Sequence, residues 1–192
     1  MSPSPSHPAS RCLTRLAATV PDVTEHPFLP PEQYVASLAR KRMGAAAFFR
    51  DENGRVLIVN PVYQSNWILP GGAVEADESP HAACRREVAE ELGLDRPPGR
   101  ILAVDWVPAR TIGPDQTPLP DGLSIVYDGG VLSAAELAEI VLTDRELSGF
   151  EFVTEAEAAR RVTAPLARRI AACLRACEAG TAVMLENGSP VG

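Results

Sequence analysis

The sequence predicts a layered α/β fold built around a mixed sheet. Three observations carry that expectation. Two apolar runs, Ala45 to Phe49 and Val56 to Val59, flank the turn signal DENG and read as a β-hairpin. A strongly capped helix occupies Pro80 to Leu92 near the middle of the chain. Strand candidates at Ile101 to Val107, Leu123 to Tyr127 and Phe150 to Val153 then precede a long helix over Ala164 to Ala179.

The chain opens with MSPSPSHPASRCLTRLAATVPD, whose Pro and Ser content reads as a disordered tail. It lacks the continuous apolar core of a signal peptide. Order is expected from about Pro31, where PEQYVASLARKR forms a short helix with Tyr34, Val35 and Leu38 on one face. Residues 1–39 are therefore read as an N-terminal tail and 40–180 as the domain. After the hairpin, NWILP is an apolar run stopped by Pro70 and two glycines. The central helix has a clear start. Ser79 is a good N-cap, and Pro80 sits at the first helical position, where its missing N–H costs nothing. Gly93 supplies its stop. PARTIGPDQTPLPDG reads as a long loop, of a length that is often functional. Thr154 with Glu157 forms a capping box ahead of another helix. Residues 181–192 read as a C-terminal tail that adds a short strand.

Composition excludes several classes. The 192 residues are 45% hydrophobic and 22% charged, ordinary for a globular domain. A net charge of -7 argues against a broad nucleic-acid surface, which needs cations to neutralise phosphates. It does not exclude a small anionic ligand, because a metal ion can supply positive charge locally. No segment is apolar for long enough to span a membrane. Cys12, Cys84, Cys173 and Cys177 match no zinc or CxxC spacing. They read as free thiols, which makes a reducing cytoplasm the expected compartment.

The chemistry concentrates in PGGAVEADESPHAACRREVAEELGL, from Pro70 to Leu94. On a helix Glu87 lies beside both Glu90 and Glu91, and each like-charge pair costs about 0.2–0.5 kcal/mol. Glu90 and Glu91 also occupy the last turn, where the helix dipole disfavours anions. A divalent cation removes both penalties, and carboxylates suit Mg2+ or Mn2+. Val88 and Leu92 lie on another side and can anchor the helix to the sheet. Gly71 and Gly72 let the backbone approach a ligand closely. An acidic helix alone is most often a solvated face, so the joint pattern has to decide.

That pattern resembles the Nudix box, G-x5-E-x7-R-E-U-x-E-E-x-G-U with U aliphatic. Gly72, Glu78, Arg86, Glu87, Val88, Glu90, Glu91, Gly93 and Leu94 fill every specified position. Its seven fixed letters coincide by chance about once in 10^8 starting points. The resemblance extends over roughly residues 40 to 175, with WILPGG before the box and FEFVTEAEA after it.

The resemblance implies an α/β/α sandwich and a hydrolase that cleaves a diphosphate in a nucleoside diphosphate joined to another group. It implies Mg2+, with Mn2+ as a substitute. Glu87, Glu90 and Glu91 become the expected metal ligands, joined by the Gly72 carbonyl. Arg86 becomes the residue that orients the glutamates by pairing with Glu78. The general base lies in the box or in a later loop, where Asp128, Asp144 and Glu146 are candidates. Substrate signals are weaker. No coenzyme A or NADH motif is present, and Thr111 and Ile112 stand where dinucleoside polyphosphate hydrolases carry a tyrosine. Pro108 lies near the offset of the proline in ADP-ribose hydrolases, which favours ADP-ribose or a nucleotide sugar. Trp67, Phe48, Trp106 and Tyr127 are candidates for stacking on a base. Arg110 is a candidate for a phosphate or ribose contact. Two alternatives stay open: a housekeeping (d)NTP pyrophosphohydrolase and a non-catalytic nucleotide-binding module. The expected partner is a small nucleotide, with neither nucleic acid nor membrane, and there is room for a homodimer.

Overall fold

The computed structural model describes residues 29–142 and 145–192. The tail reading and Cys12 fall outside the described residues, as does Asp144. The chain divides into two units, residues 1–39 and 40–192. Within the first, helix α1 spans Pro31–Ser37, shorter than PEQYVASLARKR allowed. Its Pro31 sits at the helix start, and Leu38 turns to an extended conformation.

The second unit begins with the hairpin. Strand β1 is Arg42–Arg50 and β2 is Val56–Pro61. The turn is held by the buried Asp51, whose carboxylate accepts from the backbone N–H of Asn53 at 2.9 Å and of Arg55 at 2.8 Å. Strand β3, Gly71–Ala73, pairs antiparallel with β1, with Gly72 opposite Ala45. It continues the same edge where the β2 pairing leaves off, because β2 joins β1 at Arg50 and Val56.

Helix α2 runs over Pro80–Leu92, as its caps predict. Ser79 Oγ accepts from the Ala82 N–H at 3.2 Å, and Gly93 closes the helix in the left-handed conformation. Strand β4 is Ile101–Val107. The expected long loop contains a hairpin of its own, β5 Arg110–Ile112 with β6 Thr117–Leu119. Three-residue strands show no periodicity to read. Strand β7, Gly122–Val131, outruns its apolar core. Pairing with β1 carries it past Tyr127 through Asp128, Gly129 and Gly130, and a bulge absorbs the extra residue.

Helix α3 is Ala134–Glu139, β8 is Leu147–Val153, α4 is Glu155–Arg161 and α5 is Ala164–Ala179. The Thr154–Glu157 capping box opens α4 in both directions. Residues 181–192 supply β9, Val183–Glu186, and β10, Ser189–Pro190. The sheet order is β10-β9-β4-β7-β1-β2-β8, with β3 on β1. The β1–β7 and β4–β9 pairs are parallel and the others antiparallel, so the sheet is mixed.

Two apolar layers cover the two faces. Ala83, Cys84, Val88 and Leu92 of α2 pack with Ala45, Ala47, Phe49, Leu57 and Val59. Val162 and, from α5, Leu166, Ile170 and Cys173 pack with Phe48, Val56, Ile58 and Val126. The alternation of β1 sends Ala47 and Phe49 to one layer and Ala46 and Phe48 to the other. This is the α/β/α sandwich. Burial pushes the Cys84 and Cys173 thiols up to about 12, so both are inert at neutral pH. No helix among the described residues is long and apolar enough to cross a membrane.

Candidate active site

The site forms where α2 packs against the β3–β1 edge. Gly71 and Gly72 permit this packing. A Cβ on Gly71 would meet the Ala45 carbonyl oxygen at 2.3 Å, and one on Gly72 would meet Glu87 Oε1 at 2.4 Å. The absence of side chains brings two box carboxylates onto the strand. Glu91, only 8% exposed, accepts the Gly71 N–H at 2.7 Å. Glu87 rests against Gly72.

Arg86 gathers the other acids. Its Nε donates to Glu78 Oε1 at 3.0 Å and its Nη2 to Glu78 Oε2 at 3.1 Å, a two-pronged pair. Nη1 reaches Glu87 at 2.9 Å and Glu90 at 3.0 Å, and Nη2 also donates to the Ala73 carbonyl at 3.1 Å. The Glu78 bonds, with those to Glu87 and Glu90, hold this guanidinium above its already high ordinary value. Glu78 is held below the usual glutamate range by the same Arg86 bonds and by the Glu75 N–H. Glu87 moves the other way. Burial raises it, and repulsion from Glu90 and Glu78 adds to the rise against the opposing pull of Arg86.

Glu87 therefore stands in a field that disfavours its own charge, which is the setting a divalent cation relieves. The donors are carboxylates and backbone carbonyls, hard oxygens that suit Mg2+ or Mn2+. Among the described residues, no three Asp, Glu, His or Cys side chains come together closely enough to hold a metal ion by themselves. The arrangement fits an open cradle, in which such an ion shares its coordination with water and substrate oxygens.

The remaining candidates scatter. Trp67 is partly buried, lines the cleft beside the site, and has the Arg161 guanidinium 5.2 Å from its ring centre. Pro108 and Arg110 line the same cleft, whose volume is about 590 Å³. Phe48 is a correction. It is fully buried in the α5-side layer, where no ligand reaches its ring. Tyr127 is also buried, edge-on to His81 on the other side of the sheet. Trp106 donates its indole N–H to Asp121 at 3.0 Å. Asp128 pairs with Arg50 at 3.1 Å and accepts the Gly130 N–H, a structural role. Glu146 accepts the Val62 N–H on its backbone carbonyl at 2.7 Å. Its charge acts on the Tyr63 phenol together with those of Glu91 and Glu87, behind burial as the main cause of that phenol's raised pKa. Tyr63, Arg42 and Arg169 were not foreseen. Tyr63 follows no motif, and the two arginines reach the cleft from β1 and α5, which only the tertiary fold brings together.

Fold and site together define a layered α/β protein whose glycine-backed acidic cradle suits phosphate chemistry assisted by a divalent cation. A model of the NUDIX domain matches residues 40–174, and the chain belongs to that family. Diphosphoinositol polyphosphate phosphohydrolase 2 of Rattus norvegicus is 39% identical over 66 residues, a match spanning 34% of this chain and 37% of that protein. Two solved structures share the fold. A UDP-X diphosphatase has a TM-score of 0.58 and 18% identity, covering 82% of this chain and 75% of its own. An ADP-ribose pyrophosphatase from Streptococcus suis 89-1591 has a TM-score of 0.52 and 20% identity, covering 77% and 99%.

Proposed function

We propose that this chain is a Mg2+-dependent pyrophosphohydrolase that cleaves the diphosphate of a nucleoside diphosphate joined to another group, of ADP-ribose or nucleotide-sugar type, in a reducing cytoplasm. The observation that carries the reading is the complete acidic cradle. Glu91 is hung on the Gly71 N–H, and Glu78, Glu87 and Glu90 are gathered by one guanidinium. A module that only binds nucleotides has no use for so many mutually repelling carboxylates. Pro108 and Trp67, which line the cleft, support a nucleotide-sized ligand there.

Glu87, Glu90 and Glu91, with the Gly72 carbonyl, would hold the cation. When bound, it polarises a phosphoryl oxygen and makes water acidic enough to attack near neutral pH. Arg86 positions the acids from behind. In the reaction the water oxygen bonds to one phosphorus as that atom's bond to the bridging oxygen breaks. The bridging oxygen leaves with the other phosphate. A carboxylate takes the water's proton and passes it to solvent.

The test is turnover of ADP-ribose, nucleotide sugars, dinucleoside polyphosphates and (d)NTPs with Mg2+, read by released phosphate after phosphatase coupling. Cleavage of the nucleoside diphosphate derivatives is expected. Preference for (d)NTPs would move the reading to the housekeeping alternative, and no turnover of any compound would overturn it.

A further inference from the structure

The cleft that reaches Gly71 and Gly72 runs against the composition of the chain. Acidic residues outnumber basic ones, 25 to 18. Yet the charged residues lining this cleft are Arg42, Arg110 and Arg169, with no carboxylate among its lining residues. Three elements far apart in sequence, β1, β5 and α5, each contribute one.

Each arginine is presented differently. Arg169 is fixed from behind, because its guanidinium donates to the fully buried Asp105 at 2.7 and 2.6 Å. Asp105 is itself held by the Gly188 N–H at 3.1 and 3.0 Å. Arg42 is tethered by Nε to the Pro120 carbonyl at 2.7 Å, and its Nη2 is buried with no hydrogen-bond partner among the described residues. Burial, then the charges of Arg110 and Arg169, hold Arg42 below the usual guanidinium value, with Asp121 only partly offsetting them. Arg110 is exposed and has no ion pair among the described residues. The first turn of α5 adds to this end of the cleft. Thr163, Pro165 and Leu166 line it, and the Thr163 side chain makes no capping bond to the helix N–H groups.

A cleft lined by three guanidiniums and no carboxylate, with only Arg169 paired from behind by Asp105, carries a net positive charge that an anion offsets. Planar guanidinium forks match phosphate oxygens. We infer that this end of the cleft is a second phosphate subsite, and that the substrate is a diphosphate compound carrying at least one further phosphomonoester away from the scissile linkage. The inference rests on the hydrolase reading, since it assigns the scissile diphosphate to the box. It narrows that reading, because a plain ADP-ribose or nucleotide sugar leaves the arginines without an anion.

The test compares substrates that differ by one phosphomonoester: ADP-ribose with its 2′-phosphate, NAD+ with NADP+, and dephospho-coenzyme A with coenzyme A. In the wild type the phosphorylated member of at least one pair should have a kcat/KM about tenfold higher or more, the worth of one charged contact. In Arg110→Ala, and separately in Arg42→Gln, that ratio should fall toward one, mainly through KM. Circular dichroism checks that both variants are folded. If members of the pairs turn over with a ratio near one throughout, the inference is overturned and the hydrolase reading stands. If nothing turns over, inositol hexakisphosphate in EDTA decides. A rise in thermal midpoint that is lost in Arg110→Ala keeps the subsite and removes the hydrolase reading, and no rise overturns both.

Discussion

Replacing Gly72 with alanine should separate activity from stability. Gly72 lies in β3 without a left-handed backbone, so alanine meets no conformational barrier there. Its Cβ would stand 2.4 Å from Glu87 Oε1, 2.5 Å from Cδ and 2.6 Å from Oε2, whereas ordinary contact begins at 3.4 Å. The Glu87 carboxylate must therefore retreat by about 1 Å. It is the far end of a flexible side chain, so the fold absorbs the move. The cradle does not, because a displacement of that size at a reacting centre costs about 10²-fold in rate, roughly 2.7 kcal/mol of transition-state stabilisation. The unfolded chain also loses freedom with alanine, which adds about 0.4–1 kcal/mol to stability. The expected result is kcat/KM down about a hundredfold with a thermal midpoint at or slightly above wild type. Gly71→Ala is the contrast. There the new Cβ would strike backbone, the Ala45 oxygen at 2.3 Å and the Ala46 Cα at 2.6 Å, so β3 must part from β1 and the midpoint should drop. A folded Gly72→Ala enzyme with wild-type kcat/KM would refute the role given to Glu87.

Glu91→Gln keeps an oxygen to accept the Gly71 N–H but removes the charge, so kcat should fall by about 10²-fold or more with the fold intact, read by steady-state kinetics beside circular dichroism. Leu92→Ala should cost about 2–5 kcal/mol in urea denaturation, because Leu92 is fully buried in the layer that fixes α2 to the sheet. Asp51 supplies a pH signature. Burial raises its pKa, but the Arg55 and Asn53 bonds outweigh that and hold the folded carboxyl below its ordinary value. Its contribution is thus complete above the unfolded pKa, near 4, and is lost as pH falls through the folded one. Asp51→Asn should lower stability at pH 7 by about 1–3 kcal/mol and flatten the acid limb of a stability–pH curve. An unchanged acid limb would show that the turn does not depend on that charge.

What the sequence disclosed was local, and what it concealed was long-range. Ser79, Pro80 and Gly93 announce α2 because caps act within a few residues, and DENG announces its hairpin for the same reason. The β5–β6 hairpin stayed hidden, since each strand is too short for a period to appear. The place of β9 beside β4 stayed hidden because that pairing joins residues near 104 and 184, with α5 between them. Phe48 illustrates the limit for site residues. An aromatic in an apolar strand can face core or ligand, and only the layer packed against it decides. Arg42 and Arg169 carry no motif, and their significance is created by the cleft they share.

The electrostatic oddity that the sequence exposed in α2 is only half resolved within the chain. Arg86 carries one positive charge and divides it among Glu78, Glu87 and Glu90. One charge cannot offset three; Glu87 is shifted up first by burial, with repulsion from Glu90 and Glu78 adding to the rise against the pull of Arg86. Arg86 therefore works as a clamp that fixes where the carboxylates stand, leaving the charge itself to be met from outside. The arginine end of the cleft has the opposite deficit, three guanidiniums with Asp105 fully buried behind one of them. On the proposed reading, a substrate that places its diphosphate at the box and a further phosphate in the cleft would relieve both. Two such contacts made by one substrate would reinforce each other, so removing an arginine should weaken the hold on a phosphorylated substrate at the box as well as in the cleft.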